Sequence, residues 1–148
     1  MTATACYFRV STAEQRDRQT IETQRLAVQG LLDREGITAV REYEDDGVSG
    51  TIPLHHRPAG KRLLDDAHAG RIMQVIVYRI DRLGRDTADG LQAVRELETL
   101  GVSVRSATEP LDTSSPTGRF LLTMLFGFAA FERDAIVQRS MDGSNRLA

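Results

Sequence analysis

The chain has 148 residues, 41% of them hydrophobic and 27% charged, which is the size and balance of one globular domain with a core of its own. No apolar run is long enough to span a bilayer and no charged-then-apolar leader opens the sequence, so a cytoplasmic protein is expected. A net charge of −2 excludes a chain that coats nucleic acid through bulk positive charge, and any DNA contact must therefore be local.

The first predicted element is a buried strand, the run Ala5-Cys6-Tyr7-Phe8, which stops abruptly at Arg9-Val10-Ser11; Thr12 to Gln15 then read as a loop or helix start. Cys6, the single cysteine, is expected to be an inert core thiol. Over 20–35, Ile21, Leu26, Val28, Leu31 and Leu32 recur at helical spacing and Gly36 supplies the stop. A second strand is predicted over 37–43, ending at Glu44-Asp45-Asp46-Gly47. A Gly- and Pro-punctuated loop over 48–57 carries Arg57, with His55 and His56 as loop residues, and a helix is predicted from Pro58 to His68. The clearest strand, 72–78, delivers Arg79 to Asp86 to its end, and a helix capped by Asp86 or Thr87 follows with Leu91, Val94, Leu97 and Leu100 along one stripe. A short strand at 102–106 and a turn-rich connector over 109–116 lead to a long helix from 117, expected to run to at least 139. Strand and helix alternate, which predicts an α/β, three-layer fold with a mainly parallel central sheet and right-handed crossovers, followed by a long C-terminal helix.

In such a sheet, ligands are met just beyond the carboxyl ends of the strands. Arg9 with Ser11, Asp46, Arg57, and Asp81 with Arg82 and Arg85 all fall at successive strand ends or adjoining loops. Read singly, Ser11 is a helix cap, Asp46 a turn residue, and Asp81-Arg82 a turn with a surface ion pair. Read together, a hydroxyl ringed by arginines, with no cluster of metal ligands, suits phosphoryl transfer in which guanidinium groups neutralise the charge that a metal otherwise would. Arginine supplies nearly all the positive charge, Lys61 being the single lysine. Bidentate phosphate recognition and a GC-rich coding sequence account for that bias equally well. No metal and no cofactor is expected. The run 120–131 has no adequate polar face, so its helix must be buried on more than one side; a two-fold dimer is predicted, with Met124 and Phe128 at its interface.

Taken in order, Tyr7-Phe8-Arg9-Val10-Ser11-Thr12 with Gln15, Asp46-Gly47-Val48-Ser49-Gly50, Arg57, Asp81-Arg82-Leu83-Gly84-Arg85-Asp86 and Phe131-Glu132-Arg133 resemble the catalytic domain of the serine site-specific recombinases, the resolvases, DNA invertases and large serine integrases. The resemblance covers essentially the whole chain. It implies a resolvase-like fold, and an enzyme in which Ser11 attacks a DNA phosphodiester to give a 5′-phosphoserine link and a free 3′-hydroxyl. A homodimer assembling to a homotetramer would cut two recombination sites, exchange strands and religate. By the same resemblance Arg9, Arg57, Arg82 and Arg85 bind the phosphate, and Asp81 orients arginines or assists proton transfer. Asp46 holds an arginine, Gln15 and Gln24 support the site, and Glu132 and Arg133 govern assembly. It further implies a catalytic core over 1–116 and an oligomerisation helix over 117–148 that continues towards a DNA-binding region. The rival readings are a small-molecule phosphate-ester hydrolase and an inactive dimerisation or DNA-architectural module of the same fold.

Overall fold

The computed structural model describes residues 3–13 and 20–147, with side chains through residue 139. In chain order it contains β1 (Ala3–Val10), α1 (Ile21–Glu35), β2 (Val40–Asp46), α2 (Pro58–His68), β3 (Ile72–Val77), α3 (Thr87–Thr99), β4 (Ser103–Ser106) and α4 (Pro116–Leu147). Single 3-10 turns stand at Leu54–His56 and Ile80–Arg82. The four strands form one sheet in the order β2-β1-β3-β4, with every neighbouring pair parallel.

Alternation along the inner strands splits the core in two. Cys6, Phe8, Val10 and Ile76 face α1 and meet Ile21, Val28, Leu31 and Leu32. Ala5, Tyr7, Val75, Val77 and Val104 face the other way, against Leu63 of α2, Leu91, Val94 and Leu97 of α3, and Leu122 of α4. The result is the expected three-layer α/β arrangement. The step from β1 to β2 crosses the sheet in the opposite direction from the steps β2 to β3 and β3 to β4. One hand of crossover therefore puts α1 on the opposite face from α2 and α3.

Helix ends follow local chemistry. Thr20 caps α1 by accepting from Thr23 N, and Gly36 closes it at φ 67°, a left-handed conformation that suits glycine. Pro58 opens α2, and Asp86 rather than Thr87 caps α3, its side chain accepting from Asp89 N at 2.8 Å. Two expectations are corrected. The second strand begins at Val40, not at 37, because Ile37 N–H donates to Leu32 O and Ile37 packs against the α1 face, finishing the helix instead of starting the strand. Leu26 is 74% exposed, since only the Ile21, Val28, Leu31 and Leu32 stripe faces the sheet. Cys6 is a buried free thiol, as expected.

Candidate active site

The reversal of strand order places a switch point between β1 and β3, and there the two strands part. Odd-numbered residues of β1 turn their backbone groups towards β3, as Ala3 N–H does to Arg71 O, and the last pair in register is Tyr7 with Val77. Arg9, two residues further on, lies beyond that register. Gln24 meets it there: Gln24 Oε1 accepts from Arg9 N–H at 3.3 Å and Gln24 Nε2 donates to Arg9 O at 2.8 Å. A side-chain amide thus completes the strand end just before Ser11, which is partly buried in the loop that follows. Gln15 lies outside the described residues.

The turn after β3 is drawn to the same strand end. Arg9 donates from Nε to Arg82 O at 3.1 Å, from Nη2 to Asp81 O at 3.2 Å and from Nη1 to Val48 O at 3.1 Å. Arg82 donates back, from Nη1 to Arg9 O at 3.3 Å. Arg57 donates from Nη1 to Arg82 O at 2.8 Å and from Nε to Ile52 O at 2.8 Å. Arg9, Arg57 and Arg82 are all buried, at 4%, 1% and 2% exposure, and Arg85 is exposed. The sequence pattern placed all four guanidinium groups at the rim; the structure places one there and three beneath it, pointed at carbonyls of the 48–52 and 81–82 loops. Bulk chain charge stays near neutral, yet three buried guanidinium groups gather at this strand end, with Arg85 exposed in the adjoining turn.

Asp46 is exposed at the end of β2, and the buried carboxylate is its neighbour Asp45. Asp45 accepts from Ala59 N–H at 2.8 Å and Gly60 N–H at 3.0 Å, capping α2, whose N-cap residue Arg57 has no capping side chain of its own. It also accepts from the Tyr7 hydroxyl at 2.7 Å, and that oxygen accepts from Arg57 Nη1 at 3.1 Å. One carboxylate therefore caps the helix that begins after Arg57 and, through Tyr7, holds the Arg57 side chain. Burial above all pushes the Tyr7 hydroxyl well above its ordinary pKa, so it stays a donor. Sequence reasoning missed Asp45, and it quoted Tyr7 and Gly50 only as members of motifs, without a role for either. Strand parity was the available signal for the first: Tyr43 points inward, so Asp45, two residues on, does too.

Each residue of the 81–86 motif has a place. Asp81 Oδ2 accepts from Arg79 Nη2 at 3.0 Å, and its Oδ1 lies at ion-pair distance, 3.4 Å, from Arg82 Nε. Leu83 is a core residue, and a Cβ on Gly84 would come 2.5 Å from Gly90 N, which only glycine avoids. The loop over 48–52 crosses this turn at Gly50, where a Cβ would lie 2.9 Å from Arg85 Cα and 3.1 Å from Arg9 Nη2. Arg85, with Asp86, Asp89 and Gln92 at the start of α3, lines one side of a groove of about 380 Å³; Glu132, Arg133 and Ile136 of α4 line the other. Met124 and Phe128 lie on the outer side of α4, 56% and 60% exposed. Among the described residues no three His, Cys, Asp or Glu side chains gather as a metal-binding group, and no helix is long and apolar enough to cross a membrane.

Known proteins share the sequence pattern and the fold. Residues 4–148 match the family described as Resolvase, N terminal domain. The serine recombinase gin of Escherichia phage Mu is 38% identical over 99 residues, covering 67% of this chain and 49% of that protein. The DNA-invertase hin of Salmonella typhimurium is 35% identical over 141 residues, covering 95% of this chain and 66% of that one. The chain thus spans between half and two thirds of the length of these relatives. Among solved structures, the N-terminal catalytic domain of TP901-1 integrase superposes with a TM-score of 0.76 at 32% identity, covering 90% of this chain and 98% of that one. A resolvase family site-specific recombinase from Streptococcus pneumoniae, at 24% identity, shares the fold with a TM-score of 0.75 over 99% of this chain and 97% of that one. A buried strand ending at Arg9-Val10-Ser11, an arginine-laced switch point and a family match over nearly the whole chain agree, and the chain belongs to the resolvase N-terminal-domain family of serine recombinases.

Proposed function

We propose that this chain is the catalytic domain of a DNA recombinase in which Ser11 Oγ attacks a DNA phosphodiester. A bond forms between Oγ and phosphorus and the bond from phosphorus to the 3′ oxygen breaks. The serine proton leaves as the new bond forms, and the departing 3′ oxygen takes up a proton, a transfer that Asp81 assists. The 5′-phosphoserine ester conserves the energy of the broken bond, so another strand's 3′-hydroxyl can reverse the step after exchange without a cofactor.

The observation that carries this reading is the joining of two strand ends at one switch point. Ser11 follows β1 directly, and Arg9 and Arg82 tie that end to the turn after β3 through bonds of 3.1 and 3.3 Å. Arg85, exposed beside them, meets the phosphate first. Arg9, Arg57 and Arg82 then turn donors from loop carbonyls to the non-bridging oxygens as the 48–52 and 79–85 loops part around the DNA. Gln24 holds the strand end, Gln15 supports the site from the segment after Ser11, and Asp46 steadies an arginine from the β2 end. Two copies pair through the Met124 and Phe128 side of α4 and two such dimers assemble on two recombination sites, with Glu132 and Arg133 controlling that assembly. On this reading residues 1–116 form the catalytic core, 117–148 lead towards a DNA-binding region, and the protein works in the cytoplasm on the nucleoid.

A nicked suicide DNA substrate tests the chemistry. The full-length protein is expected to give a covalent protein–DNA band in excess EDTA, and Ser11→Ala is expected to give none while still binding the site. A band that persists in Ser11→Ala, or a strict need for Mg²⁺, would refute the assignment.

A further inference from the structure

Glu109 lies in the connector between β4 and α4, a segment whose sequence is only polar and turn-rich. Its carboxylate nevertheless reaches the turn that carries Asp81 and Arg82. Glu109 Oε1 accepts from Ile80 N–H at 2.7 Å and lies 3.0 Å from Ser106 Oγ, and Glu109 N–H donates to Ser106 Oγ at 3.1 Å. The approach is stepwise. Ala107 N–H donates to Val77 O at 2.8 Å and Thr108 Oγ1 to Tyr78 O at 2.8 Å, so the connector follows the exit of β3 residue by residue until it ends on Ile80.

Ile80 needs this partner. It is 1% exposed and opens a 3-10 turn whose N-cap residue, Arg79, makes no side-chain capping bond. A buried N–H at the start of a helical turn has no partner within the turn and must find one elsewhere. Glu109 supplies it, one residue before Asp81 and two before Arg82. At its other end the connector is locked to α4. Leu111 is buried, Thr113 N–H donates to Val104 O at 3.0 Å, and a Cβ on Gly118 would come 1.8 Å from Asp112 O, so the first turn of α4 rests directly on the connector backbone. Glu109 therefore sits on a continuous chain of contacts between α4 and the Asp81–Arg82 turn.

We infer that Glu109 is a positioning residue: its carboxylate sets the Ile80–Arg82 turn, and makes the placement of Asp81 and Arg82 depend on the connector that leads into α4. The inference rests on the reading of the site given above, because it is for phosphate that Asp81 and Arg82 need placing. Glu109→Ala removes the acceptor, whereas Glu109→Gln keeps an oxygen at Ile80 N–H.

Two measurements on the same variants test it. In amide hydrogen exchange, Glu109→Ala is expected to speed Ile80, Arg82 and Leu83 by roughly tenfold or more, the effect of losing one hydrogen bond to a charged acceptor. Thr4 and Ile37, whose amides donate to Ala39 O and Leu32 O far from the turn, should be unchanged. In the full-length protein, covalent adduct formation on nicked DNA should fall by about the same factor with site affinity kept, and Glu109→Gln should restore both. Unchanged exchange at Ile80, faster exchange spread evenly to Thr4 and Ile37, or local loosening with an unchanged adduct rate would each overturn the inference. If the wild type forms no adduct, the reading of Ser11 fails, and exchange at Ile80 still decides whether Glu109 sets the turn.

Discussion

Asp45 serves a helix and an arginine at once, and the two services can be separated. Asp45→Ala leaves the Ala59 and Gly60 amides and the Tyr7 hydroxyl without their acceptor. Buried groups left so cost about 1–3 kcal/mol each, so with three of them a loss of at least about 3 kcal/mol in the free energy of urea unfolding is expected. Tyr7→Phe keeps both amides satisfied and removes only the links to Asp45 and Arg57, for about 1 kcal/mol. Equal losses in the two variants would mean that capping α2 contributes nothing. Ser11, Arg9 and the Asp81–Arg85 set were legible in the sequence because unusual polar residues at the end of an apolar run show in one dimension. Asp45 was not, because it stands among Glu44 and Asp46 and only parity with Tyr43 distinguishes it. Nor could the pattern show that Arg9, Arg57 and Arg82 would be buried: most of the partners described above are backbone carbonyls, which carry no residue signature.

At the level of elements, α4 has two apolar sides with different fates. Leu122 is 7% exposed and, with Leu125 and Phe126, packs against the body, while Phe120, Met124, Phe128 and Phe131 form an outer stripe at 56–70% exposure. The sequence showed a helix apolar all round but not which side the body would take; the contact of Gly118 with the connector settles that by fixing the helix's rotation. Leu122→Ala should therefore cost the chain's own stability about 2–5 kcal/mol, as a large-to-small core change does. Phe128→Glu should leave urea unfolding within about 0.5 kcal/mol of wild type, as expected of surface substitutions, and abolish self-association in a sedimentation series. Unfolding of Phe128→Glu, or a wild type that stays monomeric at the highest concentrations, would remove the outer stripe as an interface. The same logic explains the late start of β2. Hydrophobic alternation cannot say whether Ile37 ends a helix or begins a strand, and the bond from its N–H to Leu32 O decides for the helix.

Across the whole molecule, layer order and strand direction were readable from strand–helix alternation, whereas the response to pH depends also on charged neighbours that only the fold reveals. Cys6 sits in the central strand, and burial, then the charge of Glu42, pushes its thiol from the ordinary 9.0 up to about 12. Tyr43, on the edge strand, is raised from 10.0 to about 12, first by burial and then by donating to Asp66. Both groups are neutral when protonated, and the folded state holds their protons more tightly than the unfolded chain. Their contribution is thus fully present below the unfolded values and is lost as the pH climbs towards about 12. The carboxylate of Asp66, held low first by the Tyr43 hydroxyl, acts in the opposite sense, and its contribution fades as the pH falls. The urea midpoint should therefore drop between about pH 8 and about pH 10.5, and Cys6→Ala, although less stable at neutral pH through the small cavity it leaves, should drop less over that interval. Tyr43→Phe should flatten the upper part of the same interval and also the acid limb, because it removes the donor that holds Asp66 low. A wild-type midpoint that stays level across the alkaline interval, or a Cys6→Ala profile parallel to that of the wild type, would show that the thiol is not shielded in the centre of the sheet as its position in β1 requires.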